Sequence, residues 1–158
     1  YPEARFIAVG PHDPNLPHTC AAEDLERWKR EGVVEFVGGV KDVRPWIVQS
    51  SVFVLPSYRE GTPRSVLEAM SMGRPIITSD APGCRETVEE GVNGFLVTPR
   101  SVAPLADAMG RFLAKPERVA EMGEASWQLV ERHYDVHKVN RVILDAMELT
   151  SVSEPRIA

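Results

Sequence analysis

The 158-residue sequence predicts an α/β fold in which a parallel sheet is covered by helices on both faces and the chain ends in helices. Strand and helix patterns alternate as far as Pro99, and only helical patterns follow. The stretch SVFVLPS is apolar almost throughout, which is typical of a parallel strand that is buried on both sides. Because the sequence has no internal repeat and no low-complexity linker, it predicts one domain over residues 1–158.

Each predicted strand is a short apolar or β-branched run that is stopped by Gly, Pro or a polar residue. The five strands cover residues 5–10, 33–39, 51–57, 74–79 and 93–99. An Asn-Gly turn at Asn93 opens the last strand. A Pro-rich loop over residues 11–19 follows the first.

Each predicted helix has apolar positions at helical spacing and a recognisable start or stop. The helices cover residues 20–32, 42–49, 64–72, 83–91, 102–114, 116–132 and 136–149. Leu25 and Trp28 mark the inner face of the first helix, which Gly32 closes. Asp42 can cap the second helix, whose first turn tolerates Pro45. The tail over residues 150–158 is predicted to fray.

Composition and charge argue against several classes of function. The formal net charge of −5 and the pI of about 5.4 do not favour an extended nucleic-acid surface. No apolar run approaches the roughly 18 residues that a membrane span needs. Cys20 and Cys84 lie outside any CxxC pattern, which predicts free thiols in a reducing cytosol. His133 and His137 straddle a predicted helix boundary and no Asp-x-Asp motif occurs, so no metal and no other cofactor is predicted.

Two glutamates flank a Gly-Thr-Pro-Arg-Ser turn in the stretch YREGTPRSVLEAM. Glu60 follows the predicted strand over residues 51–57, and Glu68 lies in about the first turn of the next predicted helix. Ligands of open α/β sheets bind beyond the carboxyl ends of the strands, which is where both acids are expected. The predicted helix start carries free N–H groups, which favour an anion, at Arg64, Ser65 and Val66.

The residues alone leave two interpretations of this segment open. A carboxylate can accept hydrogen bonds from two vicinal hydroxyls, so the pair fits a nucleotide-sugar, with Glu68 on the ribose and Glu60 on the sugar. Gly61 would let the backbone approach such a ligand closely. In the other interpretation Glu60 is a solvated loop acid, and Glu68 stabilises the helix N-terminus by about 0.5 kcal/mol.

The stretch VLPSYREGTPRSVLEAMSMGRPIITSDAPGCRETVEEGVNGFLV resembles the family 4 glycosyltransferases, which are retaining enzymes of the GT-B fold. Their signature is a Glu, seven residues, a second Glu and then Ala-Met-x-x-Gly-x-Pro. The matching residues here are Glu60, Glu68, Ala69, Met70, Gly73 and Pro75. The stretches FVGGV and NGFLV match the family in order and spacing, and the resemblance covers residues 5–113.

The resemblance implies a place for each candidate residue around a nucleotide-sugar donor. Glu60 would be the catalytic residue on the donor-sugar hydroxyls, and Glu68 would contact the ribose. The backbone between them would bind the rest of the donor, chiefly the diphosphate, through Gly61, Thr62, Arg64, Ser65 and Val66.

Two further loops are candidates by the same resemblance, each with a structural alternative. Val37, Gly38 and Gly39 would lie near the base, or they form a simple strand-ending turn. Gly83 and Cys84 would line the cleft, or they open a helix.

The implied activity is transfer of a hexosyl group from a nucleoside-diphosphate sugar of the UDP type, with retention of configuration and without a metal. The implied setting is surface-polysaccharide or lipopolysaccharide biosynthesis in the cytoplasm, with peripheral association of the full-length enzyme at the inner face of the membrane. The chain starts at YPEARFIAVG and is interpreted as the Rossmann-like donor-binding half of a GT-B enzyme whose N-terminal acceptor domain is absent. That missing domain would bind an acceptor glycan or a lipid-linked sugar, so the fragment alone is expected to be inactive.

The sequence departs from the family pattern at one place. Many members have Gly-Phe-Gly after the first glutamate, whereas this chain has Gly61-Thr62-Pro63, and Pro63 offers no N–H to a sugar. The donor sugar is therefore not predicted. The alternatives are a nucleotide-sugar 2-epimerase-like GT-B enzyme, which the spacing of the two glutamates disfavours, and a non-catalytic module that binds a nucleotide or a partner protein.

Overall fold

The computed structural model describes residues 1–15 and 19–149. The chain forms two compact units, Tyr1–Ser50 and Ser51–Ala158. Every pair of neighbouring strands in the described residues is parallel and helices flank the strands, which confirms the predicted α/β class. The single-domain organisation stays a prediction. The predicted frayed tail and part of the Pro-rich loop lie outside the described residues.

The first unit is a two-stranded parallel sheet with two helices. Strand β1 (Ile7–Val9) pairs with strand β2 (Glu35–Gly38). Helix α1 (Ala22–Glu31) ends at Gly32, whose φ of +66° is the left-handed conformation expected of a closing glycine. The ring of Trp28 on α1 stacks on the ring of Phe36 on β2, with 6.5 Å between the ring centres, so Trp28 faces the sheet as predicted.

Helix α2 (Arg44–Gln49) completes the first unit. The carboxylate of Asp42 accepts the backbone N–H of Arg44 at 3.0 Å and the Nε–H of the same residue at 2.9 Å. Asp42 therefore satisfies one of the amides that the helix start leaves unpaired, and Pro45 lies in the first turn as predicted.

The second unit is built on a three-stranded parallel sheet with the strands in chain order. These strands are β3 (Phe53–Leu55), β4 (Ile76–Ser79) and β5 (Gly94–Val97). All residues of β4 are buried. Since side chains alternate along a strand, both faces of β4 are covered.

Four helices complete the second unit. Helix α3 (Arg64–Ser71) packs against β3 and β4, and helix α4 (Val102–Ala114) packs against β4 and β5. Helix α5 (Glu117–Tyr134) packs against α3, and helix α6 (Val136–Ala146) follows it. Thus α5 is longer than predicted and α6 is shorter.

One hydrophobic cluster of the second unit lies between the sheet and α4. Its buried members are Ile77, Phe95, Val97, Ala108, Phe112 and, from α5, Met122. The rings of Phe95 and Phe112 lie 5.2 Å apart in a tilted arrangement, which is favourable for an aromatic pair. No helix in the described part of the chain is long and apolar enough to cross a bilayer.

The helix predicted over residues 83–91 is wrong, because only a 3-10 turn forms there, Arg85–Thr87. The side chain of Asn93 explains the difference. Its amide oxygen accepts the N–H of Glu89 at 2.8 Å, and its amide nitrogen donates to the carbonyl of Thr87 at 3.1 Å. These bonds satisfy backbone groups that an α-helix would have paired, so the chain leaves the helical path.

Candidate functional site

The loop that carries Glu60 lies at the carboxyl end of β3. Glu60 is half-buried, while Gly61 and Thr62 are exposed. The backbone N–H of Glu60 donates to the carbonyl of Pro82, in the loop after β4, at 3.1 Å. The two loops at this edge of the sheet are therefore joined through their backbones.

Gly83 makes that junction possible. A Cβ at this residue would overlap the carbonyl oxygens of Glu60 and Gly61, and its φ of +85° is in the region that favours glycine. Gly83 therefore supports the Glu60 loop instead of opening a helix, and Cys84 is fully buried beside it. Sequence reasoning missed the part that Pro82 plays, although a Pro-Gly pair after a strand is a signal for a special turn.

The start of α3 presents two backbone amides. Pro63 is buried in an extended conformation, with φ −72° and ψ 112°, and its carbonyl accepts the N–H of Val66 at 3.0 Å. The expectation of a free amide at Val66 is therefore wrong, because a tight first turn uses it. The amides of Arg64 and Ser65 precede this bond and lie at the positive end of the helix dipole.

Glu68 lies farther into the helix than the sequence suggested. The first turn of α3 holds no acidic residue, and Glu68 comes one full turn after Arg64. Residues four apart share a helix face, and helical side chains lean towards the N-terminus. The exposed side chain of Glu68 therefore lies on the same face as Arg64, and no ion pair joins the two within the described residues.

The remaining candidates lie in the first unit, at the end of β2. Gly38 has a φ of +81°, and its carbonyl accepts the N–H of Gly10 at 2.9 Å. Val37 is half-buried, Gly39 is exposed, and a Cβ at Gly39 would make ordinary contact with Pro11 at 3.6 Å. This geometry is that of a strand-ending turn, and the assignment of these residues to the base of a donor stays a prediction.

The segment from Glu60 to Glu68 thus lies at the carboxyl edge of the second sheet, with the free α3 amides between the two glutamates along the chain. The arrangement offers a carboxylate on either side of a pair of backbone N–H groups. Such an array can accept hydrogen bonds from hydroxyls at both ends and donate to an anion in the middle. Within residues 1–15 and 19–149 no group of three or more His, Cys, Asp or Glu side chains could hold a metal ion.

Comparison with known proteins is consistent with this arrangement. An uncharacterized glycosyltransferase of Haemophilus influenzae is 30% identical over 142 residues, which is 88% of this chain and 38% of that protein. The N,N'-diacetylbacillosaminyl-diphospho-undecaprenol alpha-1,3-N-acetylgalactosaminyltransferase of Campylobacter jejuni is 33% identical over 111 residues, 70% of this chain and 28% of that protein. The chain therefore spans well under half the length of these relatives.

A solved structure has the same fold. The crystal structure of Anabaena HepE in complex with UDP superposes with a TM-score of 0.85 and 25% identity, over 94% of this chain and 42% of that one. The sequence profile described as "Glycosyl transferases group 1" matches residues 1–115, which is more than half of the chain. This chain therefore belongs to the glycosyl transferases group 1 family.

Proposed function

We propose that the chain is the donor-binding part of a glycosyltransferase that takes a nucleoside-diphosphate sugar of the UDP type. The observation that carries this proposal is the segment from Glu60 to Glu68. It sets two carboxylates on either side of the α3 amides at the carboxyl edge of a parallel sheet. The complexes of HepE with UDP and with UDP-glucose support this choice of ligand.

Each part of the segment has a proposed role. The diphosphate binds the amides of Arg64 and Ser65, where the helix dipole favours negative charge. Glu68 accepts hydrogen bonds from the ribose hydroxyls. Glu60 contacts the donor sugar beside Gly61 and Thr62, and it stabilises the positive charge that develops on the sugar ring as the bond to diphosphate breaks.

The finer features of the proposed reaction follow the family 4 resemblance. The transfer is hexosyl, proceeds with retention of configuration and needs no metal, because backbone amides and basic groups stabilise the leaving diphosphate. The acceptor is a glycan or a lipid-linked sugar that the rest of the full-length protein binds. The diphospho-undecaprenol in the name of the Campylobacter jejuni relative supports a lipid-linked acceptor. We place the reaction in surface-polysaccharide or lipopolysaccharide assembly, at the inner face of the membrane.

Titration of the ¹⁵N-labelled chain with UDP tests the donor site. We expect saturable shifts of the amides of Gly61, Arg64 and Ser65 at millimolar ligand, because only part of the donor site is present. Uridine, which lacks the diphosphate, is the control and should leave the Arg64 and Ser65 amides unmoved. Shifts that centre elsewhere, or no shifts at millimolar UDP, would contradict the proposal.

The activity is tested on the full-length protein with a panel of nucleotide-sugars. Transfer of the sugar to an acceptor is the expected result. Release of an epimerised nucleotide-sugar would identify an epimerase, and UDP binding without turnover of any donor would identify a non-catalytic module.

A further inference from the structure

A cleft of about 310 Å³ lies at the carboxyl edge of the second sheet, separate from the Glu60–Glu68 segment. Glu60 and residues 61–68 are not among the residues that line it. We call it the Arg100 cleft. The residues of its lining that matter here are Tyr58, Ser79, Val97, Arg100, Ser101 and Leu105.

Ser79 contributes a buried hydroxyl that lacks a partner. The residue is 1% exposed, and its Oγ has no hydrogen-bond partner within residues 1–15 and 19–149. Side chains alternate along a strand, so Ser79 faces the same side of β4 as Ile77, which is the side that α4 covers. Its register partner Val97 lines the same cleft. A buried hydroxyl is unfavourable unless something pairs with it, and the cleft is where a ligand could do so.

Arg100 provides the charge of the cleft. Its guanidinium lies 4.8 Å from the centre of the Tyr58 ring, and no carboxylate forms an ion pair with it in the described part of the chain. None of the residues lining the cleft is acidic. The φ of Arg100 is +60°, a conformation that residues other than glycine adopt at a cost. The ring holds the guanidinium in place and leaves its N–H edges available to an anion.

The start of α4 adds backbone donors on the same side. Ser101 makes no side-chain capping bond, and the first turn of this 13-residue helix holds no acidic residue. Pro104 has no N–H, so the amides that lack an intrahelical acceptor are those of Ser101, Val102 and Ala103, and of these residues Ser101 and Val102 line the cleft. The positive end of the helix dipole is therefore not neutralised by the chain itself.

We propose that the Arg100 cleft binds a small oxyanion, a phosphate or a carboxylate group, at a site distinct from the donor site. The guanidinium of Arg100, the hydroxyl of Ser79 and the two amides that line the cleft at the start of α4 donate to its oxygens. The apolar side chains of Val97 and Leu105 contact the carbon atoms next to the anionic group. The inference does not depend on the proposed function, because Ser79, Arg100 and the start of α4 lie outside the segment that carries Glu60 and Glu68.

The test is a titration of the ¹⁵N-labelled chain with inorganic phosphate in one arm and acetate in the other, at constant ionic strength. Saturable shifts of the Ser101 and Val102 amides are expected in at least one arm, and the arm with the tighter binding identifies the group. Arg100→Gln should weaken binding by about tenfold, as expected for a charge-assisted contact. The matched control is Arg111→Gln, because Arg111 lies 4.8 Å over the ring of Phe95 outside the cleft, and it should change nothing.

Ser79→Ala provides an independent readout. It should weaken phosphate binding by about threefold and leave the melting temperature without phosphate equal or higher, because it removes a buried hydroxyl without a partner. The inference is overturned if neither anion moves the Ser101 and Val102 amides. It is also overturned if Arg100→Gln and Arg111→Gln weaken binding equally, or if Ser79→Ala lowers the melting temperature.

Discussion

Gly83 and Gly61 approach so closely that a methyl group on the α-carbon of Gly83 would overlap the carbonyl oxygen of Gly61. Together with the 3.1 Å hydrogen bond from Glu60 to the carbonyl of Pro82, this approach sets the position of the loop that carries Glu60. Within the described residues no ion pair or side-chain hydrogen bond of Glu60 adds to it. The placement of a candidate catalytic acid therefore depends on a residue that has no side chain.

Gly83→Ala should displace the Glu60 loop. We expect the free energy of unfolding to fall by about 1–3 kcal/mol, because the new methyl group meets backbone atoms and the φ of +85° becomes strained. Denaturant unfolding measures this loss, and UDP titration should show an affinity lower by about tenfold. The control is Gly91→Ala, which has a similar φ of +77° but open space around its Cβ position. Equal losses of UDP affinity in the two variants would show that the contact with Gly61 does not hold the loop.

The two glutamates should respond differently to loss of charge. Glu68→Gln should lower the affinity for free UDP by about tenfold, because it removes the charge that accepts from the ribose hydroxyls. Glu60→Gln should leave UDP affinity nearly unchanged, because UDP has no sugar. In the full-length enzyme Glu60→Gln should lower kcat strongly, since its contact strengthens in the transition state, while Glu68→Gln should mostly raise the donor KM. An equal loss of UDP affinity in both variants would indicate that the two glutamates together stabilise the loop and do not bind opposite ends of the donor.

Two substitutions at Arg64 separate its side chain from its backbone amide. Arg64→Ala keeps the N–H and should leave the donor KM of the full-length enzyme within a few-fold. Arg64→Pro also removes the N–H, at a first helical position that favours proline, and should raise the donor KM by about tenfold. If Arg64→Ala alone costs ~100-fold, about 2.7 kcal/mol, then the guanidinium itself binds the phosphate.

The packing of α5 on the turn after α3 depends on Gly123. A Cβ there would overlap the carbonyl oxygen of Gly73, so Gly123→Ala should lower the free energy of unfolding by about 2–3 kcal/mol. Gly110→Ala in α4 is the matched control, since no atom lies within 4 Å of its Cβ position. That control should stabilise the chain by roughly 0.5–1 kcal/mol through helix propensity. Chemical denaturation of both variants measures the contrast, and a stable Gly123→Ala variant would contradict the packing.

The cap of α6 should make this helix sensitive to acid. Asp135 accepts the backbone N–H groups of His137 at 3.0 Å and Lys138 at 3.1 Å, and these bonds, that of Lys138 foremost, hold the pKa of Asp135 below its usual value. Because the pKa of Asp135 is lower in the folded state, its ionised carboxylate stabilises the fold when the pH is above the unfolded pKa of about 3.9. This stabilisation is lost as the pH falls through the folded pKa.

Amide hydrogen exchange along α6 measures that effect. Protection factors, which correct for the pH dependence of the intrinsic exchange rate, should fall along α6 as the pH drops below about 4. Asp135→Ala should show lower protection factors at neutral pH and lose their acid dependence. Asp107→Ala, in α4, is the control and should leave α6 unchanged. Protection factors that still fall in acid without Asp135 would assign the effect to another group.

Much of the fold could be predicted because its signals are local. Three such signals are the apolar run before Pro56, the left-handed glycine after α1 and the acid before α2. Each acts through its neighbours in the chain, so β3, α1 and α2 are all predictable from the sequence. The helix predicted over residues 83–91 is absent for another reason. There the side chain of Asn93 takes the backbone bonds that a helix would need, and periodicity does not report such competition.

The class of the fold and the segment that carries Glu60 and Glu68 both follow from the sequence, because residue spacing and chain order suffice for both. The position of that segment, in contrast, depends on tertiary contacts. The contact between Gly83 and Gly61 joins loops that follow different strands, and so does the bond from Glu60 to the carbonyl of Pro82. The Arg100 cleft was likewise not predictable, since Tyr58, Ser79 and Arg100 meet only once three parallel strands end at the same edge. Contacts between distant segments depend on the packed chain, and no local pattern specifies them.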